Sequence, residues 1–451
     1  MEVIKQWTRW ANTTTNRKIF SATIVIASLS FSAKLVFMGK EILVAASFGT
    51  GDALDAFLIA LLMPVFAINV IGGSFTAAVI PTYIQVREKE GSIQAQKLFS
   101  NVMVWSIGLL VVATLIIVLA APYYLPFIAR GFSVQKLVLT CKLLYVLSPI
   151  VVLYGINTIW GAVLNAGERF ALVAISPVIT PAVIIFFLLI GGKSWGIIAL
   201  TLGTACGMAT EVALLGFALN RKGISLWPKW HGIDPHLRQV TGQYLPMVLG
   251  AFLLGCTGPI NQGMAAALGS GSVAALNYGN KLIAFPIGLA TTALGTAVIP
   301  FFSSMVASED WDGIRHTLNR YSRLLFATTV PFTIILILIS QPLVRIMFQR
   351  GSFSAEDTYL VARIQALFAL QIPFYIAGIF VVRLISSFKA NNLLMWGAAI
   401  SVILNVILNY LFMQWLGVAG IALSTAAVYF VSFCFLSYML MRLLKQSSHE
   451  L

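Results

Sequence analysis

Twelve stretches of this sequence are apolar over roughly twenty or more residues, the length that an α-helix needs to cross a bilayer. They run over 20–48, 54–85, 101–121, 136–165, 170–191, 194–219, 238–267, 272–305, 322–342, 357–388, 392–413 and 417–441. Only 10% of the 451 residues are charged, against about 25% in soluble domains. The sequence therefore predicts an all-α integral membrane protein with about 12 transmembrane helices and leaves no soluble domain of useful size.

The net charge of +14 is distributed unevenly over the loops that join these stretches. Most Lys and Arg residues fall in alternate loops, and the positive-inside rule then places both termini in the cytoplasm. Because the basic residues are spread over short loops on one side of a membrane, the charge does not indicate nucleic acid as a partner.

The two halves of the chain resemble each other at an offset near 220 residues. The matching segments are Ala78–Pro81 with Ala297–Pro300, Arg130–Ser133 with Arg350–Ser354, and Trp195–Leu200 with Leu416–Ile421. Three matches in the same order at a nearly constant offset predict a duplicated six-helix unit. Since six is even, both copies enter the membrane from the same side, as in transporters built from parallel repeats, whose cargo site lies between the halves.

The repeat divides the chain into three predicted parts. These are an N-terminal six-helix bundle at 1–219, a cytoplasmic amphipathic linker at 220–237, and a C-terminal six-helix bundle at 238–451. The linker is basic and contains Trp227 and Trp230, a composition that suits anionic lipid headgroups. A simple solvated linker explains the same composition.

Six basic residues interrupt the apolar stretches, where a cation costs at least ~2.5–3.5 kcal/mol. They are Lys34, Lys40, Lys142, Lys281, Arg363 and Arg383. Only Glu41, Asp55 and Glu211 lie at comparable depth. The excess of cations predicts a positively charged interior cavity and an anionic cargo.

Lys34, Lys40 and Lys281 are the predicted cargo-binding cations, with Asn277 one turn before Lys281. Arg363 and Arg383 lie nearer the helix ends and are secondary candidates. A structural ion pair of Lys34 or Lys40 with Glu41 or Asp55 is the alternative interpretation of the first helix.

The three acids are candidates for a gate or for ion coupling. Asp55 follows Gly49–Asp52 at a helix start, where an acid also serves as a cap. Glu211 is an isolated acid, either protonated and hydrogen-bonded or a proton or sodium site. The sequence contains no phosphate-binding loop, metal-ligand cluster or Ser/His/Asp constellation, so no catalytic residue, metal site or cofactor is predicted.

Several motifs, in order along nearly the whole chain, resemble one family of transporters. They are Phe48–Gly51 with Asp55–Phe57, Pro64, Gly73–Phe75, Val79–Pro81, Gly269–Val273, Tyr278, Lys281, Phe285–Pro286 and Phe348–Gly351. They resemble the MurJ (MviN) family of lipid II flippases, within the multidrug/oligosaccharidyl-lipid/polysaccharide exporter superfamily.

The resemblance implies a V-shaped exporter fold in a bacterial cytoplasmic membrane. It implies a transporter and not an enzyme, with a polyprenyl-diphosphate-linked saccharide as cargo and membrane lipids around it. A cell-envelope synthesis complex is a further implied partner, and coupling to membrane potential, H⁺ or Na⁺ is left open.

The chain departs from the family at its cations. The peptidoglycan flippases carry arginine where this chain has Lys34, Lys40 and Lys281, and an arginine pair where it has Ile68 and Asn69, so Asn69 joins the predicted cargo residues. They also have two more helices. Three alternative functions therefore stay open: flipping of an exopolysaccharide or O-antigen repeat unit, cation-coupled drug export, and a non-transporting envelope-synthesis scaffold.

Overall fold

A computed structural model describes residues 15–166, 170–221, 223, 226–232, 234–308, 311–388 and 390–447 of the chain. For 15–31, 292–301 and several shorter stretches the description covers the backbone alone. Both termini and the side chains of Ala78, Ile80, Pro81 and 297–300, part of one repeat match, lie outside it.

Every regular element of the described residues is helical. In the first half these are α1 (Thr15–Phe48), α2 (Asp52–Ala67), a π-helical segment (Ile68–Gly72), α3 (Gly73–Glu90), α4 (Ser92–Ile128), α5 (Val134–Leu147), α6 (Pro149–Ala166), α7 (Phe170–Ile175), a 3₁₀ turn (Ser176–Val178), α8 (Ile179–Trp195) and α9 (Ile197–Asn220). The predicted all-α architecture is confirmed.

The second half continues in the same manner. Its helices are α10 (Pro235–Gly255), α11 (Thr257–Ala266), α12 (Ser272–Ala307), α13 (Trp311–Leu338), α14 (Ser340–Phe348), α15 (Ala355–Ala369), α16 (Ile372–Ser387), α17 (Asn391–Leu416) and α18 (Val418–Ser447).

Ten helical segments of the described chain are long and apolar enough to cross a membrane. Helices α1 and α12 occupy the positions of the first and eighth predicted stretches. Their side chains are described only in part, and they are not among the ten.

Some predicted spans consist of two helices in sequence. The fourth restarts at Pro149 and the tenth at Ile372, one residue before Pro373. Proline lacks the N–H that a continuous helix requires but fits the first turn of a new one. The preceding helices end at Leu147 and Ala369, 222 residues apart (369 − 147), close to the offset of the repeat.

The chain packs as two compact units. Unit 1 comprises Met1–Ser47, Ala60–Tyr124 and Val138–Ala251, and unit 2 comprises Phe48–Ile59, Leu125–Leu137 and Phe252–Leu451. The division at 1–219, 220–237 and 238–451 stays a prediction.

Each unit has its own apolar core. In unit 1, side chains of α3, α4, α6, α9 and α10 meet around Phe99, Leu164 and Val240. In unit 2, side chains of α12, α13, α16 and α18 meet around Phe380, Leu384 and Leu440. These cores hold the polar groups described next at fixed positions.

Candidate functional site

Unit 2 contains a partly buried ionic cluster at the starts of three helices. Asp52 and Asp55 lie in the first turn of α2, Lys136 in the first turn of α5, and Ser270 two residues before α12. We call these four residues the helix-start cluster. Asp55 is 0% exposed and Lys136 is 8% exposed, whereas the Asp52 side chain is 62% exposed. The pair of Asp55 and Lys136 is therefore shielded from water, and Asp52 lies at the solvent-facing edge of the cluster.

Lys136 is the only cation that the described contacts place in this cluster. Its Nζ donates to Asp55 Oδ2 at 2.8 Å and to Asp52 Oδ1, and it lies 3.9 Å from the centre of the Phe132 ring. Ser270 Oγ donates to Asp52 Oδ1 at 2.7 Å. Two carboxylates thus face one ammonium group, and the remaining negative charge needs further donors.

The start of α12 supplies those donors. Asp55 accepts hydrogen bonds from the backbone N–H of Gly271 (2.7 Å, to Oδ2) and of Ala274 (2.8 Å, to Oδ1). Helix N-termini carry unsatisfied N–H groups and a partial positive charge. Asp55 therefore caps a helix, as one interpretation of the sequence allowed, but the helix is α12 and not its own.

The backbone segments around the cluster approach each other so closely that glycine is required. A Cβ on Gly271 would lie 2.2 Å from the carbonyl oxygen of Thr50, and φ at Gly271 is +78°. A Cβ on Gly131 would lie 2.3 Å from the carbonyl oxygen of Ala266. Thr50 Oγ1 also donates to Asp357 Oδ1 at the start of α15, so segments distant in sequence are joined at this end of unit 2.

In unit 1, the predicted cation Lys40 forms an ion pair with its neighbour Glu41. The Lys40 ammonium group lies 4.4 Å from the centre of the Phe37 ring, and Glu41 is buried. This ion pair is one of those that the sequence analysis gave as the alternative to cargo binding by the first helix. Lys34, on the same helix, is half-buried.

In unit 2, the predicted cation Lys281 lies on α12 beside Asn277, and both are half-buried. The Lys281 Nζ is 5.7 Å from the centre of the Tyr278 ring. Tyr278 is buried and packs against Phe348 and Phe353 at centroid distances of 5.1 and 5.5 Å. The aromatic cluster thereby fixes the turn of α12 that carries Lys281.

Asn69, the remaining predicted cargo residue, is exposed and lies in the π-helical segment Ile68–Gly72. A π-helical turn breaks the regular hydrogen-bond ladder of an α-helix and frequently occurs at functional sites. Here the carbonyl of Ile71 accepts from the Tyr244 hydroxyl at 3.2 Å, and that of Val70 accepts from Ser74 Oγ at 2.6 Å. The irregular turn is therefore stabilised by side chains of unit 1.

Glu211 lies on α9 in the interior of unit 1 and is 3% exposed. Its Oε1 accepts from Asn157 Nδ2 and its Oε2 from Thr180 Oγ1, both at 2.9 Å. The carboxyl group thus links α6, α8 and α9. Its predicted part in ion coupling stays a prediction.

We expect Glu211→Ala to lower the thermal stability of the protein and Glu211→Gln to retain most of it. Alanine leaves the half-buried Asn157 and Thr180 side chains without their acceptor, and a fully buried group left in this way costs about 1–3 kcal/mol. Glutamine keeps the shape and one acceptor oxygen. The measurement is the unfolding midpoint in detergent. Thr210→Ala, one residue away on an exposed position, is the control, and equal midpoints for Glu211→Ala and this control would contradict the expectation.

The secondary cargo candidates are not part of the helix-start cluster, and they differ from each other in their exposure. Arg363 is exposed on α15, and Arg383 is half-buried on α16. No group of three or more His, Cys, Asp or Glu side chains suited to a metal ion occurs among the described residues.

Sequence reasoning missed Lys136, Asp52 and Ser270 as parts of a site. Lys136 is the first residue of the fourth apolar stretch, at its boundary with a loop, and so is not among the six basic residues that interrupt the stretches. The available signal was the repeat, which aligns Lys136 with Asp357 at two equivalent helix starts.

Comparison with known proteins gives a consistent result over most of the chain. The model of a family described as "Lipid II flippase MurJ" matches residues 44–450. A "Probable lipid II flippase MurJ" of Synechocystis sp. is 25% identical over 445 residues, covering 95% of this chain and 82% of that protein.

Solved structures of low sequence identity share the fold. A "Lipid II flippase MurJ, inward closed conformation" superposes with a TM-score of 0.79 at 23% identity, covering 92% of this chain and 87% of that one. An inward-facing multidrug resistance MATE family transporter of the MOP superfamily gives a TM-score of 0.73 at 15% identity, covering 94% and 99%.

Proposed function

The chain belongs to the lipid II flippase MurJ family, and we propose that it moves lipid II across the cytoplasmic membrane by alternating access. Lipid II is a polyprenyl-diphosphate-linked saccharide, so its headgroup carries the negative charge that the cations within the apolar stretches predict. In this proposal the diphosphate is contacted by Lys34, by Lys281 and, once it has exchanged its pair with Glu41, by Lys40, while Asn69 and Asn277 contact its polar surroundings.

The observation that carries the alternating-access part is the helix-start cluster. Its buried pair of Asp55 and Lys136 joins the beginnings of α2, α5 and α12, and such charges stay buried only while their partners remain in place. The predicted orientation puts these helix starts on the outer side of the membrane. We propose that the cluster is a latch that closes the outer side while the cargo enters from the cytoplasm.

The latch also explains how the protein can alternate. The ion pairs and backbone hydrogen bonds of the cluster can be exchanged for hydrogen bonds to water when it opens. The two states can then differ by only a few kcal/mol, the range in which a ligand shifts a two-state equilibrium.

The membrane potential can drive the proposed transport without a coupling ion. Moving one negative charge outward across an inside-negative membrane releases ~2.3 kcal/mol per 100 mV. A diphosphate with about two charges therefore receives a drive of several kcal/mol, provided that the lysine charges do not travel with it.

The purified protein in liposomes tests the proposal. We expect it to move lipid II between leaflets, faster when the membrane potential favours outward movement of negative charge. Polyprenyl diphosphates that carry a different saccharide are the substrate control, and a cationic drug is the control for drug export. Preferential movement of either control substrate, or no movement of lipid II above protein-free liposomes, would refute the proposed cargo.

Depletion of the protein in its host distinguishes a transporter from a scaffold. We expect lipid II to accumulate at the inner leaflet, and another accumulating glycolipid would identify a different cargo. Normal growth supported by a variant that does not flip lipid II in liposomes would indicate the scaffold function.

A further inference from the structure

Unit 1 contains a basic pocket of about 710 Å³ where the linker meets α3 and α4. We call it the linker pocket. The residues that define it are Tyr83, Arg87, Lys97, Trp227, Lys229 and His231. No Asp or Glu is among its lining residues in the described chain, and none of the predicted cargo residues lines it. The linker pocket is therefore distinct from the proposed cargo path.

One wall of the linker pocket is built by the linker lying against α4. Ser100 Oγ donates to the carbonyl of Lys229 at 2.8 Å and accepts from its N–H. Asn101, which is fully buried, donates from Nδ2 to the carbonyl of Gly232 at 3.0 Å and accepts at Oδ1 from the N–H of His231 at 2.7 Å. Two side chains thus hold 229–232 as a neighbouring β-strand would, and the wall exists before any ligand binds.

The electrostatics of the linker pocket favour an anion. Arg87, Lys97 and Lys229 bring three positive charges to it, and the first residue of α4, Ser92, also lines it. The N-terminus of this helix of 37 residues adds a partial positive charge. Glu90, the acid two residues earlier, contacts His236 at 3.0 Å.

The rim of the linker pocket is apolar and open. Ile93 is 74% exposed and Trp227 is 82% exposed, and both line the pocket. Trp230, close by in the linker, is half exposed. Tryptophan is enriched where a protein meets lipid headgroups, and a soluble anion gains nothing from such a rim.

We propose that the linker pocket binds the phosphate headgroup of an anionic phospholipid from the surrounding leaflet. The basic side chains contact the phosphate, and Trp227 and Ile93 contact the glycerol and the first acyl carbons. The bound lipid bridges α3, α4 and the linker, so it stabilises unit 1 against separation of these elements. This inference does not depend on which cargo the protein moves.

Lipid retention by the full-length protein in a neutral detergent tests the inference. Native mass spectrometry compares added phosphatidylglycerol with phosphatidylcholine, and we expect selective retention of phosphatidylglycerol. Each basic residue near a membrane surface contributes about fivefold to the binding of anionic lipid. Lys97→Ala combined with Lys229→Ala should therefore lower the affinity for phosphatidylglycerol by about 25-fold.

Lys89→Ala is the matched control, because Lys89 is an exposed cation in the last turn of α3 that does not line the pocket. We expect it to retain phosphatidylglycerol as the unchanged protein does. Equal retention of both lipids, or an equal loss in the Lys89 variant, would overturn the proposal. Displacement of the lipid by inorganic phosphate at equal concentration would overturn the lipid assignment in favour of a soluble anion.

An unfolding measurement tests whether the double variant loses lipid binding only because the protein is destabilised. The double variant should unfold at the same midpoint as the unchanged protein when no lipid is present, and phosphatidylglycerol should raise only the midpoint of the unchanged protein. If phosphatidylglycerol raises both midpoints equally, the lipid binds elsewhere and the proposal is wrong.

Discussion

Lys136→Ala is expected to open the helix-start cluster and to reduce lipid II flipping by about 10²-fold. The substitution leaves Asp55 as a buried, uncompensated charge beside Asp52, and removing one partner of a buried ion pair costs about 3–5 kcal/mol. That cost falls only on the state in which the cluster is closed. The equilibrium therefore shifts toward the open state by about 10²-fold or more, and the protein returns too rarely to the state that accepts cargo.

Thiol labelling reports this shift directly. Ala274 is fully buried beside Asp55, so Ala274→Cys, in a protein whose four native cysteines have been replaced, should react with an impermeant reagent only when the cluster opens. We expect Lys136→Ala to raise the labelling rate strongly. Asp55→Asn, which keeps the shape of the side chain and loses its charge, should raise it to a lesser extent.

Lys142→Ala is the control for this experiment. Lys142 lies on the same helix as Lys136, within two turns of it, and is exposed. Its removal should change neither labelling nor flipping. Unchanged labelling in the Lys136 and Asp55 variants would show that the cluster is not a latch, even if flipping were lost for another reason.

Lys281→Ala is expected to lower the affinity for lipid II by about 10-fold to 150-fold, because a hydrogen bond to a charged group contributes about 1.5–3 kcal/mol. The proposed contact is with the diphosphate, so Lys281→Arg should retain binding, since arginine can donate to phosphate in a bidentate manner. The measurement is lipid II binding to the protein in detergent, followed by flipping in liposomes.

Asn280→Ala is the matched control for Lys281, because it removes an exposed polar side chain from the neighbouring position of α12. If Lys281 served only to pack against Tyr278, its replacement by alanine would change the unfolding midpoint and leave the affinity for lipid II unchanged. Loss of stability with unchanged affinity in Lys281→Ala would therefore place the diphosphate contact elsewhere.

The helices were the most predictable part of the structure, because about twenty consecutive apolar residues have few alternatives to a membrane helix. The restart at Pro149 follows from the same local reasoning. The π-helical segment at Asn69 could not be predicted, since it depends on Tyr244, more than 170 residues away in sequence, satisfying a carbonyl.

The candidate site was less predictable for the same reason. The sequence shows which charges lie within apolar stretches but not which of them meet. Lys40 and Glu41 are adjacent, and helical geometry points them in different directions, yet the long lysine side chain reaches its neighbour. Lys136 looked like a loop residue, because only the folded chain brings the starts of α2 and α12 to it.

The helix-start cluster also shows how the two halves of the predicted repeat differ at one end of the molecule. When the two copies of the predicted repeat are aligned, Lys136 of the first copy corresponds to Asp357 of the second. In the same alignment, Asp55 corresponds to Ala275. If both copies had the sequence of the first half, Asp52, Asp55 and Lys136 would each occur twice. Four carboxylates and two ammonium groups would then lie at this end of the molecule. The second half instead has Ala275 and Asp357 at these positions, so the two halves are not interchangeable at this end of the molecule.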